Sequence, residues 1–222
     1  MDRSLPTREH PEPRWHRRKE DRPAEILDAA LHEFVSRGFA ATRLEDIAKR
    51  AGCTKGTIFL YFASKEELLK ALVRENVLPR IQDAEALVER HEGTYRELLE
   101  KLLRARWDTI VNTRLSGLPK LMFAEAGNFP ELAQFHYDEI IARSHALISR
   151  VLRAGIERGE FREHDVDSVA RLAITPILVA SLWKHSYAHL PHTNIDRERY
   201  FDAALDVLMR GIARQPDGGT RA

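Results

Sequence analysis

The sequence of 222 residues contains a single cysteine, Cys53. One thiol cannot form an internal disulfide, and such low cysteine usage fits a reducing compartment. The N-terminus lacks the apolar stretch of a secretory signal. The longest apolar run, Leu172 to Trp183, has about twelve residues, whereas crossing a bilayer takes roughly twenty. We therefore expect a cytoplasmic protein with no membrane partner.

Glycine and proline are also scarce, at 11 and 10 residues, and no stretch alternates apolar and polar residues as a half-buried strand does. The sequence shows neither a glycine-rich phosphate loop nor an internal repeat. Hydrophobic residues make up 43% of the chain, which is enough for a sizeable core. These features predict an all-α globular protein.

The sequence has no large excess of one sign of charge: 35 Lys and Arg nearly balance 34 Asp and Glu, for a formal net charge of +1. The basic residues are unevenly distributed: residues 1–65 carry 13 Lys and Arg against 10 Asp and Glu, and the remainder is slightly acidic. Any affinity for phosphate is therefore expected near the N-terminus. Residues 1–21, rich in Pro, Arg and Glu, predict a disordered basic arm, and residues 215–222 predict a flexible tail.

Apolar residues at helical spacing predict about nine helices. The first begins at Pro23 and ends before Gly38, which suits a left-handed stop. Pro79 is expected to kink the fourth helix. Capping boxes are predicted for Thr42 with Glu45, Ser64 with Glu67, and Thr94 with Glu97. The other helices are expected at about 43–50, 55–62, 95–114, within 117–126, and at 130–158, 166–188 and 196–213.

A tight turn joins the second and third predicted helices, as in a helix-turn-helix. Gly52 permits a positive φ in this turn, and Ala48 is small where the two helices cross. The third helix projects a Lys, a Gly and two Thr residues, which suit the hydrogen-bonding groups and methyls of a DNA major groove: Thr54, Lys55, Gly56 and Thr57. The same residues also fit an alternative without DNA binding, in which they form two ordinary capped helices of an all-α protein.

The stretch AALHEFVSRGFAATRLEDIAKRAGCTKGTIFLYFASKEELLKALV resembles the DNA-binding domain of the TetR family of bacterial transcriptional regulators. The resemblance is dense over residues 22–75, with the spacing F…GF..T…IA..AG…GT.F.YF.SKEEL. The segment LPKLMFAEAGNFPEL looks like helix 6 and the start of helix 7 in many members. The resemblance implies a three-helix helix-turn-helix domain at 22–68 and an effector-binding and dimerisation domain at 69–214.

Residue by residue, the resemblance implies a DNA-binding set on the second, third and fourth helices. Its phosphate contacts are Thr42, Arg43, Tyr61 and Lys65, and its base-reading positions are Lys55, Gly56 and Thr57, preceded by Thr54. Phe59 and Leu60 depart from the residues common there, so they either contact thymine methyls or simply pack. In the arm, Arg17, Arg18 and Lys19 either follow the DNA, as other arms do, or form a solvated tail.

The resemblance also implies a small, mostly apolar or aromatic effector, a homodimer, and no cofactor or metal. The expected effector-binding residues are large side chains that equally fit an ordinary core: Trp107, Met122, Phe123, Phe129, His136 and Trp183. The last two helices are expected to form a four-helix interface between subunits. The predicted interface residues are Val169, Leu172, Ile177, Ala180, Phe201, Leu205, Leu208 and Ile212.

These patterns predict a sequence-specific regulator, and by resemblance a repressor released from a palindromic operator by its effector. An activator, or a redox-responsive regulator that uses Cys53, is an alternative with the same fold. A metal-binding all-α enzyme is a further alternative, since His185 and His189 share a helical face near His192. An adaptor that binds only proteins would give Lys55 and Thr57 no role. No catalytic arrangement is present in the sequence, so we expect no enzyme.

Overall fold

The computed structural model describes residues 14–193 and 195–214, with side chains from Asp21 onward. Within these ranges the fold is all-α, as predicted, and contains no β-strand. The described residues form eleven α-helical segments; α5 follows α4 after one residue, and a π-helical segment joins α8 to α9. The segments are α1 Arg14–Arg37, α2 Leu44–Arg50, α3 Lys55–Phe59, α4 Lys65–Asn76, α5 Leu78–Glu89, α6 Tyr95–Ile110, α7 Leu118–Glu125, α8 Pro130–His136, α9 Arg143–Glu157, α10 Val166–Ser186 and α11 Arg197–Ile212.

Helix α1 begins at Arg14, well before Pro23. The prediction of a disordered arm is therefore wrong for residues 14–21, while residues 1–13 lie outside the described part of the chain. Arg, Lys and Glu have high helix propensity, which favours helix here despite the lost hydrogen bond and the steric clash that Pro23 introduces inside α1. The amino-acid composition suggested disorder because residues 14–21 include few apolar side chains that could be buried.

Of the three predicted capping boxes, one forms completely, and one forms only its N-cap hydrogen bond. Thr94 and Glu97 form a complete capping box at α6, with Glu97 N donating to Thr94 Oγ1 at 3.2 Å and Thr94 N to Glu97 Oε2 at 3.3 Å. Ser64 caps α4 by accepting from Glu67 N at 3.2 Å. The Glu67 carboxylate binds Lys70 at 2.9 Å instead of completing that box.

Breaks between helices also follow the sequence. Gly38 and Gly52 adopt left-handed conformations, with φ of 83° and 62°. The predicted kink at Pro79 is confirmed: α4 ends at Asn76, and α5 begins after Val77 with Pro79 in its first turn. A 3₁₀ turn, Arg114–Gly117, precedes α7, and a π-helical segment, Tyr137–Ala142, joins α8 to α9.

The buried side chains form two clusters. One contains the core of α1 to α4 together with residues of α7 and α8 such as Leu118, Leu121 and Leu132. The other is built from α6, α9, α10 and α11 around Trp107 and Phe201. The predicted domain boundary after residue 68 therefore does not separate two independent cores, because α7 and α8 complete the first one.

Helix α10 has 21 residues, and among the described helices it alone contains a window long and apolar enough, by length and composition, to cross a membrane. The apolar run of twelve residues identified in the sequence is shorter than the apolar part of this helix. Only 28% of its most apolar window is buried, and Leu172 is 61% exposed. Its buried face, which includes Ile177 and Ala180, joins the second core. A core helix with an exposed apolar face is typical of a subunit interface.

Candidate functional site

Helices α2 and α3 form a compact helix-turn-helix. The turn at Gly52 is closed by Cys53 N donating to Ala48 O at 2.9 Å. Thr54 is the N-cap of α3, and its Oγ1 accepts from Thr57 N at 3.2 Å. Ile58 is fully buried and fixes α3 against the core of the domain. The short recognition helix is therefore held at both its capped start and its buried face.

The solvent side of α3 contains most of the predicted base-reading residues. Lys55 and Gly56 are exposed, Thr57 is partly exposed, and Phe59 and Leu60 are 48% and 81% exposed. Lys55 Nζ lies 2.8 Å from Glu45 Oε1, and this hydrogen bond lowers the pKa of the Glu45 carboxyl. Both partners are exposed, so DNA can replace Glu45 as the acceptor at little cost.

Phe59 and Leu60 are exposed and lie outside the protein core, although Lys55 Nζ lies 5.8 Å from the centroid of the Phe59 ring. A contact with thymine methyls stays a prediction for both residues. Tyr61 differs from them because it is partly buried against the first core, beside Phe62 at 6.4 Å between ring centroids. Arg17 to Lys19 lie on the first turns of α1, and their side chains fall outside the described residues.

Thr42 does not have the role that the sequence suggested. It is 2% exposed, and its hydroxyl proton lies between two carbonyl acceptors, Gly38 O at 2.7 Å and Glu33 O at 3.1 Å from Oγ1. The N-cap of α2 is Arg43, without a side-chain hydrogen bond, so the predicted Thr42 capping box is wrong. Thr42 therefore fixes the loop between α1 and α2, whereas exposed Arg43 remains available to phosphate.

Lys65 is also engaged inside the protein. Its ammonium donates to three carbonyl oxygens of the α1–α2 loop, Phe39 at 2.7 Å, Thr42 at 3.0 Å and Ala40 at 3.3 Å. It also lies 4.5 Å from the centroid of the Phe39 ring. An ammonium has three N–H donors, so the predicted phosphate contact would require breaking one of these bonds. Lys65 is a structural residue here.

Glu125 holds the same loop from the opposite side. Its Oε1 accepts from Phe39 N at 3.1 Å and from Ala40 N at 3.2 Å, and the side chain is nearly buried. Phe129 packs edge-on against Phe39 at 4.8 Å. We call Phe39–Thr42, held by Lys65 and Glu125, the clamped loop. Sequence reasoning missed this link, although an acidic residue in the apolar stretch LMFAEAG is its signal.

The C-terminal helices form two adjoining apolar pockets, both partly open to solvent, which we call the two lobes of the cavity. The first, of about 240 Å³, lies between α5, α6 and α9. The second, of about 250 Å³, is bounded by the α4–α5 junction, α7, the π-helical segment and α10. The lobes meet at residues that line both of them: Arg106, Ser144 and Ile174.

Two basic side chains of the cavity have lowered pKa values. Burial lowers the pKa of the Arg106 guanidinium to about 10. Burial also lowers the pKa of His136 to about 4, and the positive charge of Arg106 adds to this effect. His136 is therefore a neutral imidazole at pH 7, and Arg106 is the cation inside the cavity.

Both the N-terminal and the C-terminal helices of the chain match known protein families. Residues 26–72 match the profile of bacterial regulatory proteins of the tetR family, and residues 89–197 match a tetracyclin repressor-like C-terminal domain. The chain is 42% identical over 198 residues to the probable HTH-type transcriptional regulator ArpR of Pseudomonas putida, which covers 83% of this chain and 90% of the relative. The chain belongs to the TetR family.

Two solved structures resemble this TetR-family protein along most of its length. The transcriptional regulator FadR of Bacillus subtilis, in complex with stearoyl-CoA, is 25% identical with a TM-score of 0.70, over 85% of this chain and 98% of the other. The ketosteroid regulator KstR2 of Mycobacterium tuberculosis is 26% identical with a TM-score of 0.68, over 87% and 96%. The TetR-family protein described here is thus a ligand-responsive, DNA-binding regulator of transcription.

Only part of the predicted effector set lines the cavity of this TetR-family regulator. Phe123 and His136 border the second lobe. Met122 is buried and lines a neighbouring groove together with them. Phe129 is in the first core, and Trp183 donates to Thr193 O at 2.6 Å beside a separate pocket.

Trp107 is the clearest error in that set. Its indole is 1% exposed, stacks on Phe201 at 4.5 Å and donates to Glu198 Oε1 at 2.9 Å. It therefore joins α6 to α11 inside the second core instead of facing the cavity. The residues that the sequence missed are the aliphatic lining and, above all, Arg106 and Ser144.

The predicted dimer surface is corrected in a similar way. Five of its residues are less than 10% exposed in the isolated TetR-family chain because they face the second core: Ile177, Ala180, Phe201, Leu205 and Ile212. Val169 and Leu208 are partly buried, and Leu172 is exposed. The apolar side chains that α10 and α11 present to solvent are Leu172, Val179 and Val207, at 61%, 36% and 71% exposure.

The rival interpretations gain no support from the site. Among the described residues no three His, Cys, Asp or Glu side chains are grouped as metal ligands. His185 bonds Ser116 Oγ at 2.8 Å, and burial with nearby Lys184, Lys120 and Arg197 lowers its pKa. Burial raises the pKa of the Cys53 thiol, which disfavours the reactive thiolate.

Proposed function

We propose that this protein is a homodimeric repressor that reads a palindromic operator through α3. The observation that carries the proposal is the exposed Lys55-Gly56-Thr57 surface on a capped helix, packed as in a helix-turn-helix. Bacterial DNA as the partner also implies a cytoplasmic protein. The relative KstR2 bears the name of a transcriptional repressor, which favours repression over activation.

Dimerisation supplies the second recognition helix. One short helix reads only a few base pairs, and two helices related by a two-fold axis read half-sites about 34–36 Å apart. We assign the interface to the apolar residues Leu172, Val179 and Val207, which a second copy of the chain would cover. This assignment also accounts for the exposed apolar face of α10 without a membrane.

The proposed release mechanism uses α7 as the moving element. Phe123 of α7 and Val77 at the α4–α5 junction both border the second lobe. Two residues after Phe123, at the C-terminal end of α7, Glu125 holds the clamped loop. An effector that fits the lobe only after α7 shifts would pull on the helix-turn-helix and alter the distance between recognition helices. Such coupling is typically worth about 1–3 kcal/mol.

The effector is proposed to be a small molecule with a mainly apolar body. The lining of both lobes is dominated by Leu, Ile and Val side chains. FadR, whose structure contains stearoyl-CoA, provides a relative that holds an acyl chain. Apolar pockets with a few polar groups are typical of such ligands.

The test is a DNA-binding titration with the protein's own upstream DNA. Replacing Lys55 and Thr57 together by Ala removes two proposed groove contacts, each worth about 1–3 kcal/mol, so affinity should fall at least about tenfold. Lys101→Ala, an exposed lysine on α6, removes the same charge at a remote site and should bind normally. Equal affinity of the double variant and the wild type, with unchanged thermal unfolding, would refute the proposal.

A further inference from the structure

Arg106 is the feature that a purely apolar effector leaves unexplained. It lies on α6 and borders both lobes of the cavity. Within residues 14–193 and 195–214, no carboxylate or other acceptor lies within hydrogen-bonding or ion-pairing distance of its guanidinium. Arg143, on the nearby α9, shows the contrast: it binds Glu85 through two hydrogen bonds of 3.1 and 2.7 Å.

The isolation of Arg106 is energetically unfavourable. Arg106 is partly exposed, and a partly desolvated charge loses hydration without gaining an ion pair in return; this desolvation lowers the pKa of Arg106 to about 10. At pH 7 the group stays charged despite this loss. A ligand carrying the opposite charge would therefore recover an interaction that the free protein lacks.

The other charged groups around the cavity do not neutralise Arg106. Asp83, the acidic residue among the lining side chains, lies 4.0 Å from Arg80, and both are largely exposed. The second lobe adds Arg171, which is exposed, and two histidines, His136 and His145. The cavity wall is therefore positive overall, which favours an anionic ligand.

Ser144 provides a second unpaired polar group at the same place. It lines both lobes, as Arg106 does, and its hydroxyl is buried without a hydrogen-bond partner among the described residues. Buried hydroxyls in proteins are normally hydrogen-bonded. A guanidinium and a hydroxyl that both lack acceptors, at the junction of two apolar lobes, suit an oxyanion.

We propose that the cavity binds an amphipathic acid, whose oxyanion head group contacts Arg106 and whose apolar body occupies the lobes. Aliphatic side chains supply the remaining walls: Leu102, Leu147 and Ile148 in the first lobe, and Ile110, Ile140 and Ile177 in the second. That this acid acts as the effector rests on the proposed function, whereas its binding to the cavity does not.

Calorimetric titration of the full chain tests the binding. The probes are straight-chain fatty acids from hexanoate to hexadecanoate, each paired with the alcohol of the same chain length. Charge-assisted hydrogen bonds predict that at least one acid binds about tenfold or more tightly than its alcohol. Arg106→Met should abolish this preference, and Arg150→Met, at an exposed position of α9 outside both lobes, should keep it. The proposal fails if no acid is preferred, or if the preference survives in Arg106→Met.

Further readouts separate binding from loss of folding. Arg106→Met removes a partly exposed charge that has no ion-pair partner among the described residues, so its thermal unfolding temperature should stay close to that of the wild type. Matched alkyl phosphates distinguish a carboxylate site from a phosphate site.

DNA affinity distinguishes the two proposals. If a preferred acid binds but leaves the affinity for upstream DNA unchanged, the Arg106 site stands and the effector function fails. If the protein binds DNA through Lys55 and Thr57 while no acid is preferred, the DNA-binding proposal stands and the acid site fails.

Discussion

Gly56 lies on the exposed side of α3 with space around it inside the protein. A Cβ added there would have Thr54 Oγ1, at 3.7 Å, as its nearest neighbour. Gly56→Ala should therefore fold and gain roughly 0.5–1 kcal/mol, because alanine favours a helix more than glycine does. At the proposed DNA surface the same methyl would prevent close approach. We expect greater resistance to urea together with at least about tenfold weaker DNA binding.

Gly127 offers the matched control for that variant. It is exposed in the turn after α7, and a Cβ there would meet nothing within 4 Å. Gly127→Ala should leave DNA affinity unchanged. Normal DNA binding by Gly56→Ala would show that α3 does not approach bases closely at this position.

His136 should make stability depend on pH. Its folded-state pKa of about 4 lies below the ordinary value of 6.5 because of burial and Arg106. Between these values the unfolded chain binds the additional proton, so the stabilisation is complete above pH 6.5 and is lost as pH falls towards 4. The loss amounts to at most about 3 kcal/mol.

Urea unfolding at pH 7.5 and pH 5 measures this effect. His136→Gln should lose less stability than the wild type over that interval, while His189→Gln, at an exposed position, should behave as the wild type does. The same pH dependence in wild type and His136→Gln would mean that His136 is not buried as a neutral imidazole.

At the scale of elements, the clamped loop connects α7 to the helix-turn-helix. Glu125→Gln keeps the side-chain shape but weakens the two hydrogen bonds from Phe39 N and Ala40 N. A hydrogen bond to a charged acceptor is worth about 1.5–3 kcal/mol. Local opening should therefore become about tenfold or more frequent, and the amides of residues 38–42 should exchange faster in hydrogen–deuterium exchange.

Glu131→Gln, on the exposed side of α8, serves as the control for that experiment and should leave exchange in the loop unchanged. Protection of Phe39 and Ala40 that is identical in Glu125→Gln and wild type would remove α7 from the proposed route of release.

Local signals in the sequence predicted the elements well. Capping residues, Gly38, Gly52 and the break at Pro79 act within one turn of the chain, so their effects are visible in the sequence. Thr42 could not be predicted correctly, because its hydroxyl binds Glu33 O, an acceptor set by the packing of α1. Likewise, helical periodicity identifies an apolar face but not what covers it, so Trp107 and Phe201 could not be distinguished from cavity or interface residues.

At the scale of the whole molecule, the dimer should depend on a few exposed apolar side chains. Val207 is 71% exposed on α11, so Val207→Asp should leave the protomer folded. Burying that carboxylate at a subunit interface without a partner charge costs free energy, so the dimer dissociation constant should rise at least about tenfold. Sedimentation equilibrium measures the change. Leu60→Asp, equally exposed but on α3, should remain dimeric; a dimeric Val207→Asp would place the interface elsewhere.

The most direct measurement is a DNase I footprint of the full-length protein on its own upstream DNA. A two-fold dimer with α3 in successive major grooves should protect two symmetric half-sites whose centres lie about 34–36 Å apart. Gly56→Ala should remove both protected regions at the same protein concentration. Protection of a single half-site, or a footprint unchanged by Gly56→Ala, would contradict the account.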